Sequence, residues 1–292
     1  MRIGFMMGWE RERMEFAKKW GFKSAELQAG TGDDYFPGKP DWQAKAKKMK
    51  AEFDAEDIRI SCIASFYVNH MDPQKADEHK ALVRGTIDLA KEIGVEAVAG
   101  FAGKIENAQL EASIPEFKKI WSEHAKYAED AGVKIAFENC PMGHYHQPPG
   151  GNNCMCTPGM WEACFNEVPS PALGLEWDPS HLICMNIEPV VTLRKFGKKV
   201  HHVHAKDAHV NCDLIAQYGT WYPGTIEHCH VGLGDTDWAE CIKELRRQGY
   251  KSDLNIEGWH DGVYRNFKDG PQLEDEGLIV GLRCLSQFVV QP

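Results

Sequence analysis

Short runs of β-branched and apolar residues alternate with amphipathic stretches from one end of the chain to the other. Eight of these runs are predicted as strands: Arg2–Phe5, Ser24–Leu27, Ile58–Ile63, Ala97–Phe101, Val133–Glu138, Leu173–Trp177, Val200–His204 and Asp253–Glu257. Between them, apolar residues three and four apart mark helix faces. Leu82, Thr86, Leu89 and Ile93 form one such face, and Phe117, Ile120, Trp121, Ala125 and Ala128 another. Trp238, Ile242 and Leu245 continue the scheme, and Ile279, Leu282, Leu285 and Val289 close it. Gly21, Gly94, Gly132 and Gly249 each fall between a helical stretch and the next strand, where glycine supplies the left-handed turn that ends a helix. Parallel β/α units require this punctuation. An open doubly wound sheet would want a Gly-rich phosphate turn after an early strand, and the first strand has no GxGxxG after it. The expected fold is therefore α/β, a single (β/α)8 barrel occupying residues 1–292 as one domain.

Composition narrows the function. The chain is 43% hydrophobic and 26% charged, ordinary for a globular protein, and its formal charge of −10 repels a phosphate backbone. No run of Lys or Arg reverses that field, so nucleic acid is not an expected partner. The first apolar run, Ile3–Met7, is too short to span a membrane and reads as a strand. Membrane attachment is not expected. Ten cysteines are scattered singly, with Cys154-Met155-Cys156 the one close pair. A second pair to complete a thiolate metal site is missing, so free thiols in a reducing cytoplasm are expected.

The chemistry gathers at the C-terminal ends of the later strands, which in a barrel face the active site. Strand five ends Phe137-Glu138-Asn139, and strand six ends Trp177-Asp178-Pro179-Ser180-His181. Strand seven runs His202-Val203-His204-Ala205-Lys206-Asp207, and strand eight ends Ile256-Glu257-Gly258-Trp259-His260. Consecutive strands thus offer Glu138, Asp178, His204 and Glu257 at equivalent depth, an O and N donor set suited to one divalent ion. Each alone has a plainer reading: a rim glutamate, a turn-forming Asp178 before Pro179, a packed core histidine.

At these residues the chain resembles the xylose isomerase-like barrel superfamily of sugar isomerases and epimerases, which is related to type IV apurinic endonucleases. The elements Asp178-x-x-His181 and His204-x-Lys206-Asp207, and the run Glu138-Asn139-Cys140-Pro141-Met142, carry the likeness together with the four candidate ligands. The resemblance implies one metal per chain held by Glu138, Asp178, His204 and Glu257, with Mn2+ favoured over Mg2+, Co2+ or Zn2+. It implies a small sugar or polyol substrate, such as a keto-sugar or inosose, and a homo-oligomer. Glu138 and Glu257 would act as the catalytic pair, removing a proton beside the carbonyl on one face and returning it on the other. His181 would orient a substrate hydroxyl, stabilise the enediolate oxygen, or partner Asp178. Lys206 would contact substrate or pair with a site carboxylate, and Asp207 would orient His204 or Lys206.

The epimerases of this group place an arginine soon after the metal histidine, whereas here the stretch is Asp207-Ala208-His209-Val210. That departure raises a second chemistry with the same first step: a lyase or dehydratase in which the enolate of a keto-sugar, inosose or keto-glycoside expels a β-leaving group. The endonuclease branch would need further histidines, and strand four ends Phe101-Ala102-Gly103-Lys104 without one. A non-catalytic sugar-binding barrel is the rival outside enzymes. Two long segments, Pro141–Pro158 and Asn211–Gly234, leave the active-site end and are expected to cover a bulkier substrate. His144 in the first is a candidate acid/base and substrate contact. His70, Trp9 and Phe66 are further candidates to line the substrate pocket.

Overall fold

A computed structural model describes residues 1–141, 151–220, 222–259, 261–265 and 273–292. Eight parallel strands close into a barrel: β1 (Ile3–Met7), β2 (Ser24–Gln28), β3 (Arg59–Phe66), β4 (Ala97–Gly100), β5 (Lys134–Glu138), β6 (Leu173–Trp177), β7 (Val200–Ala205) and β10 (Leu254–Ile256). Closure comes from β1, which pairs with β2 on one side and with β10 on the other, Ile3 opposite Leu254. The intervening β8 (Asp207–Val210) and β9 (Ile226–Cys229) form a separate antiparallel hairpin on the active-site side of β7. The hairpin and its connecting helix, Cys212–Tyr218, were not predicted; the helix and β9 fall in the segment read as an insertion, Asn211–Gly234, and β8 precedes it. Among the described residues, no helix is long and apolar enough to cross a membrane.

Strand alternation divides the barrel into an apolar exterior and a polar lumen. Val98, Ile135, Phe137, Leu173, Leu175, Trp177, Val203, Leu254 and Ile256 pack outward in the main core beneath the helices. Small residues, Cys62, Ala97, Ala99 and Ala136, form a separate buried cluster. That vacates volume for the large polar side chains of β2, β6 and β7, among them Glu26, Glu176 and His202, all fully buried.

Trp121 anchors the layer outside β3–β5. Its indole N–H donates to Ala102 O at 2.9 Å, and its ring meets Phe137 edge-on at 4.5 Å. His70, His79 and His124 are buried in the same layer, with the rings of His70 and His124 each against Trp121. Burial lowers His70 to about 3 and His124 to about 4. Both are neutral in the folded chain and ordinary histidines in the unfolded one. Below about pH 6.5 the unfolded state therefore takes up protons that the folded state refuses, and stability falls by about 1.4 kcal/mol per pH unit for each. The urea midpoint is expected to drop steadily from pH 6.5 to 4.5, less steeply in His124→Gln. A midpoint that is flat over this interval contradicts the assignment.

Candidate metal centre

Strand ends and the turns after them place four donors around one point. Glu138 ends β5, Asp178 follows β6, His204 lies in β7 and Glu257 follows β10. All four are buried, and one donor atom from each lies within 4.8 Å of the others. Asn139 clamps two of the turns together. Its Oδ1 accepts from Asp178 N and its amide donates to Asp178 O, both at 2.8 Å. Asp178 Oδ1 caps the helix Pro179–Cys184 by accepting from Ser180 N at 2.8 Å, so the turn-forming reading is correct for one oxygen. The other, Oδ2, accepts no hydrogen bond from the described residues and faces His181 Nε2 at 3.4 Å. Glu138 Oε1 lies 3.3 Å from His204 Nδ1 and 3.5 Å from His181 Nε2. Three carboxylates gathered out of water around one imidazole nitrogen, with one oxygen accepting no hydrogen bond from the described residues, suit a divalent cation.

The cations present only partly compensate. Lys206 Nζ lies 2.7 Å from Glu257 Oε2. Burial disfavours its ammonium, but Glu257, Asp178 and Glu138 outweigh burial and raise its pKa. Burial likewise opposes the His181 imidazolium, and Cys140, Asp178 and Glu138 overcome it, raising His181 to about 10. Glu138 is held below the carboxylate range because His181 and His204 outweigh its burial.

A second polar layer lies directly below. Glu26 Oε2 is 2.8 Å from His204 Nε2, leaving Nδ1 of the same ring to face Glu138. Tyr67 OH donates to Glu176 Oε2 at 2.7 Å and lies 3.2 Å from Glu26 Oε1. Glu176 Oε1 meets His202 Nδ1 at 2.8 Å, and the Asn255 amide is 2.8 Å from His202 Nε2. Burial and the neighbouring Glu26 push Glu176 well above the usual carboxylate range; at Glu26, His204 and His202 outweigh burial and hold it low. The sequence reading missed this layer, although a signal was present. Glu176 and His202 stand two residues before Asp178 and His204, hence on the same strand face. Ser24, Glu26 and Gln28 alternate in the same way on β2.

The cavity above the four donors has a volume of about 650 Å³ and is walled by Glu138, Cys140, His181, His204, Lys206 and Glu257 together with Tyr67, Phe101 and Trp259. His181 and Lys206 both line this cavity, and Lys206 makes the ion pair with a site carboxylate. Other candidates lie elsewhere. The pairing of β3 with β4 shifts register between Ala64 and Phe66, so Ser65 and Tyr67 face the cavity while Phe66 turns outward onto Trp121. His70 follows Phe66 into the helical layer, its Nε2 3.2 Å from Phe66 O. Trp9 points away from the cavity, donating to Glu52 Oε2 at 2.8 Å and packing on Tyr35. Asp207 orients neither His204 nor Lys206. Its carboxylate accepts from the backbone of Ala208, Gly232 and Thr236 and from Trp238 Nε1, which fixes the ends of the hairpin. The hairpin packs on the helix Pro179–Cys184 and brings the His228 ring to 5.1 Å from that of His181. His144, Tyr145, His146, Trp221 and His260 lie outside the described residues. Asn153 ties the loop after β5 to the barrel, its amide donating to Glu138 O and Cys140 O at 2.7 and 2.8 Å.

A closed eight-stranded barrel with this donor set defines a class, and comparison with known proteins places the chain in it. The family described as xylose isomerase-like TIM barrel matches residues 14–285, and the chain belongs to that family. It is 24% identical to the uncharacterised protein YfiH of Bacillus subtilis, over 96% of this chain and 95% of YfiH. A xylose isomerase domain protein from Planctomyces limnophilus superposes with a TM-score of 0.73 at 17% identity, covering 98% of this chain and 96% of its own. An IOLI protein whose structure carries a bound zinc atom gives 0.72 at 17% identity with both chains fully covered, and a D-tagatose 3-epimerase-like protein gives 0.69 at 20%, covering 99% and 97%.

Proposed function

We propose that this protein is a divalent-metal-dependent isomerase or epimerase acting on a keto-sugar or inosose-like substrate. The observation that carries the reading is the convergence of Glu138, Asp178, His204 and Glu257, with donor atoms within 4.8 Å of one another and Glu138, His204 and Glu257 lining one cavity. Zinc in the similarly folded IOLI structure and the epimerase-like fold neighbour support it. Three carboxylates and one imidazole suit Mn2+, Mg2+, Co2+ or Zn2+, and Mn2+ is favoured by the family resemblance. A divalent ion bound there supplies Lewis acidity, which polarises a carbonyl and acidifies the adjacent C–H.

The chain's own residues do the rest. Glu138 and Glu257 approach from different strands, so one can take the proton and the other return it on the opposite face. Lys206 Nζ, 2.7 Å from Glu257 Oε2, holds that carboxylate in place at the reacting end of the cavity. His181 presents its ring to the cavity as a hydrogen-bond donor for a substrate oxygen on which charge develops. Glu26 holds His204 in the orientation that turns Nδ1 toward the other donors.

Elemental analysis of the purified protein is expected to give about one divalent ion per chain, lost in His204→Asn and Glu257→Gln. The loaded protein is expected to exchange a carbon-bound proton of keto-sugars or inososes with deuterium from solvent. A wild-type protein that takes up no ion when offered Mn2+ or Zn2+ overturns the reading. Loss of water or of an alcohol from the product would identify the lyase chemistry instead.

A further inference from the structure

The cavity extends beyond the four donors along one arc of the rim, above the neighbouring strands β10, β1 and β2. Trp259, two residues past Glu257, lines this arc with 45% of its surface open. The Arg265 guanidinium lies 4.2 Å from the ring centroid and is itself fixed to Glu274 at 2.6 Å. The platform is also tied to the reacting end, since Trp259 N donates to Glu257 Oε1 at 3.2 Å. Beside it, Glu10 follows β1, and Gln28 and Asp33 stand at and beyond the end of β2. Asp33 Oδ2 accepts from Gly30 N at 2.8 Å, and a Cβ on Gly30 would meet nothing within 4 Å, so space above this turn is open.

We propose that this arc is an outer subsite for a neutral second ring, making the substrate a glycoside rather than a free sugar or a sugar phosphate. The inference rests on the proposed function, which puts the reacting ring at the four donors. An aromatic face flanked by carboxylate and amide acceptors matches a ring that is apolar on its faces and hydroxylated at its edge. Anionic groups are disfavoured in the arc itself. Among the described residues that line the cavity, Lys206 is the only Lys or Arg, and it is engaged with Glu257 at 2.7 Å. Glu10 and Asp33 would repel a phosphate placed in the arc. At about 650 Å³, the cavity has room for more than one six-carbon ring.

Calorimetric titration of the Mn2+-loaded protein tests this with glucose, methyl and phenyl β-glucosides and glucose 6-phosphate, and with the matching galactose series. In at least one series the phenyl glycoside is expected to bind about tenfold more tightly than the methyl glycoside. That ratio should collapse to near unity in Trp259→Ala, persist in Trp259→Phe, and be accompanied by weaker binding of the phosphate than of its parent sugar. The subsite is overturned by no phenyl advantage in either series, by an advantage that survives Trp259→Ala, or by tightest binding of the phosphate. Metal content and solvent-proton exchange are scored separately. Full metal and exchange without a phenyl advantage removes the subsite alone, whereas a phenyl advantage in a protein that binds no metal removes the proposed chemistry and leaves the subsite.

Discussion

Glu138→Gln is expected to lower kcat/KM for carbon-proton exchange by at least about 10³-fold, and, because the ionised carboxylate is held by His181 and His204, to lower the unfolding midpoint as well. The substitution keeps the shape of the side chain but removes both its charge and its basicity. Glu138 is placed at the centre of the site, with Oε1 3.3 Å from His204 Nδ1 and 3.5 Å from His181 Nε2. One oxygen can serve as a ligand while the other is left to carry a proton, so a single change strikes both roles. The loss should therefore exceed that caused by withdrawing metal affinity alone, and saturating Mn2+ should restore only part of it. Activity within threefold of wild type at saturating metal would remove Glu138 from the catalytic pair.

Glu26→Gln should weaken metal binding by about 10- to 100-fold without touching the ion's own ligands. Glu26 is completely buried, and its Oε2 receives His204 Nε2 at 2.8 Å. That bond fixes the tautomer and turns Nδ1 toward Glu138. A glutamine oxygen can still accept the bond, but without the carboxylate charge the imidazole is a poorer donor to a metal. Glu26→Leu should do more, because it leaves the buried His204 N–H only the longer contact to Glu176 Oε1 at 3.3 Å, at a cost of about 1–3 kcal/mol in stability. Competition with a chelator measures the first effect, and urea unfolding the second. Unchanged affinity in Glu26→Gln would show that His204 is oriented by its other contacts.

The two variants also separate what was legible in the chain from what was not. Glu138 was readable because it ends an alternating apolar strand, where a carboxylate has no packing reason to be. Glu26 was equally polar and equally placed in its alternation, but a Glu in Ser24-Ala25-Glu26-Leu27-Gln28 looks like a solvent-facing position on a half-buried strand. In a closed barrel both faces are covered, and the inner one holds polar residues only where they satisfy one another. Phe66 and His70 failed for a different reason. Period-two alternation carried through β3 would aim Phe66 inward, but the register shift between Ala64 and Phe66 reverses the parity. Gly100 makes the reversal possible, since a Cβ there would lie 2.2 Å from the Phe66 ring.

By itself the sequence determined the order of the eight barrel strands, the glycine stops between helix and strand, and the acids and histidine at strands five to eight. Those features are local: alternation, helical spacing and terminal glycines act within a few residues of chain. Only the tertiary structure decided which polar groups meet. The pairing of β1 with β10 closes the lumen, Asn139 clamps the Asp178 turn, and Glu26 on β2 reaches His204 on β7. It also assigned Asp207 to the hairpin rather than to the site, because the backbone N–H groups of Gly232 and Thr236 return from more than twenty residues away to claim its carboxylate. Such contacts join residues far apart in sequence, and their existence depends on register and closure, which no local pattern encodes.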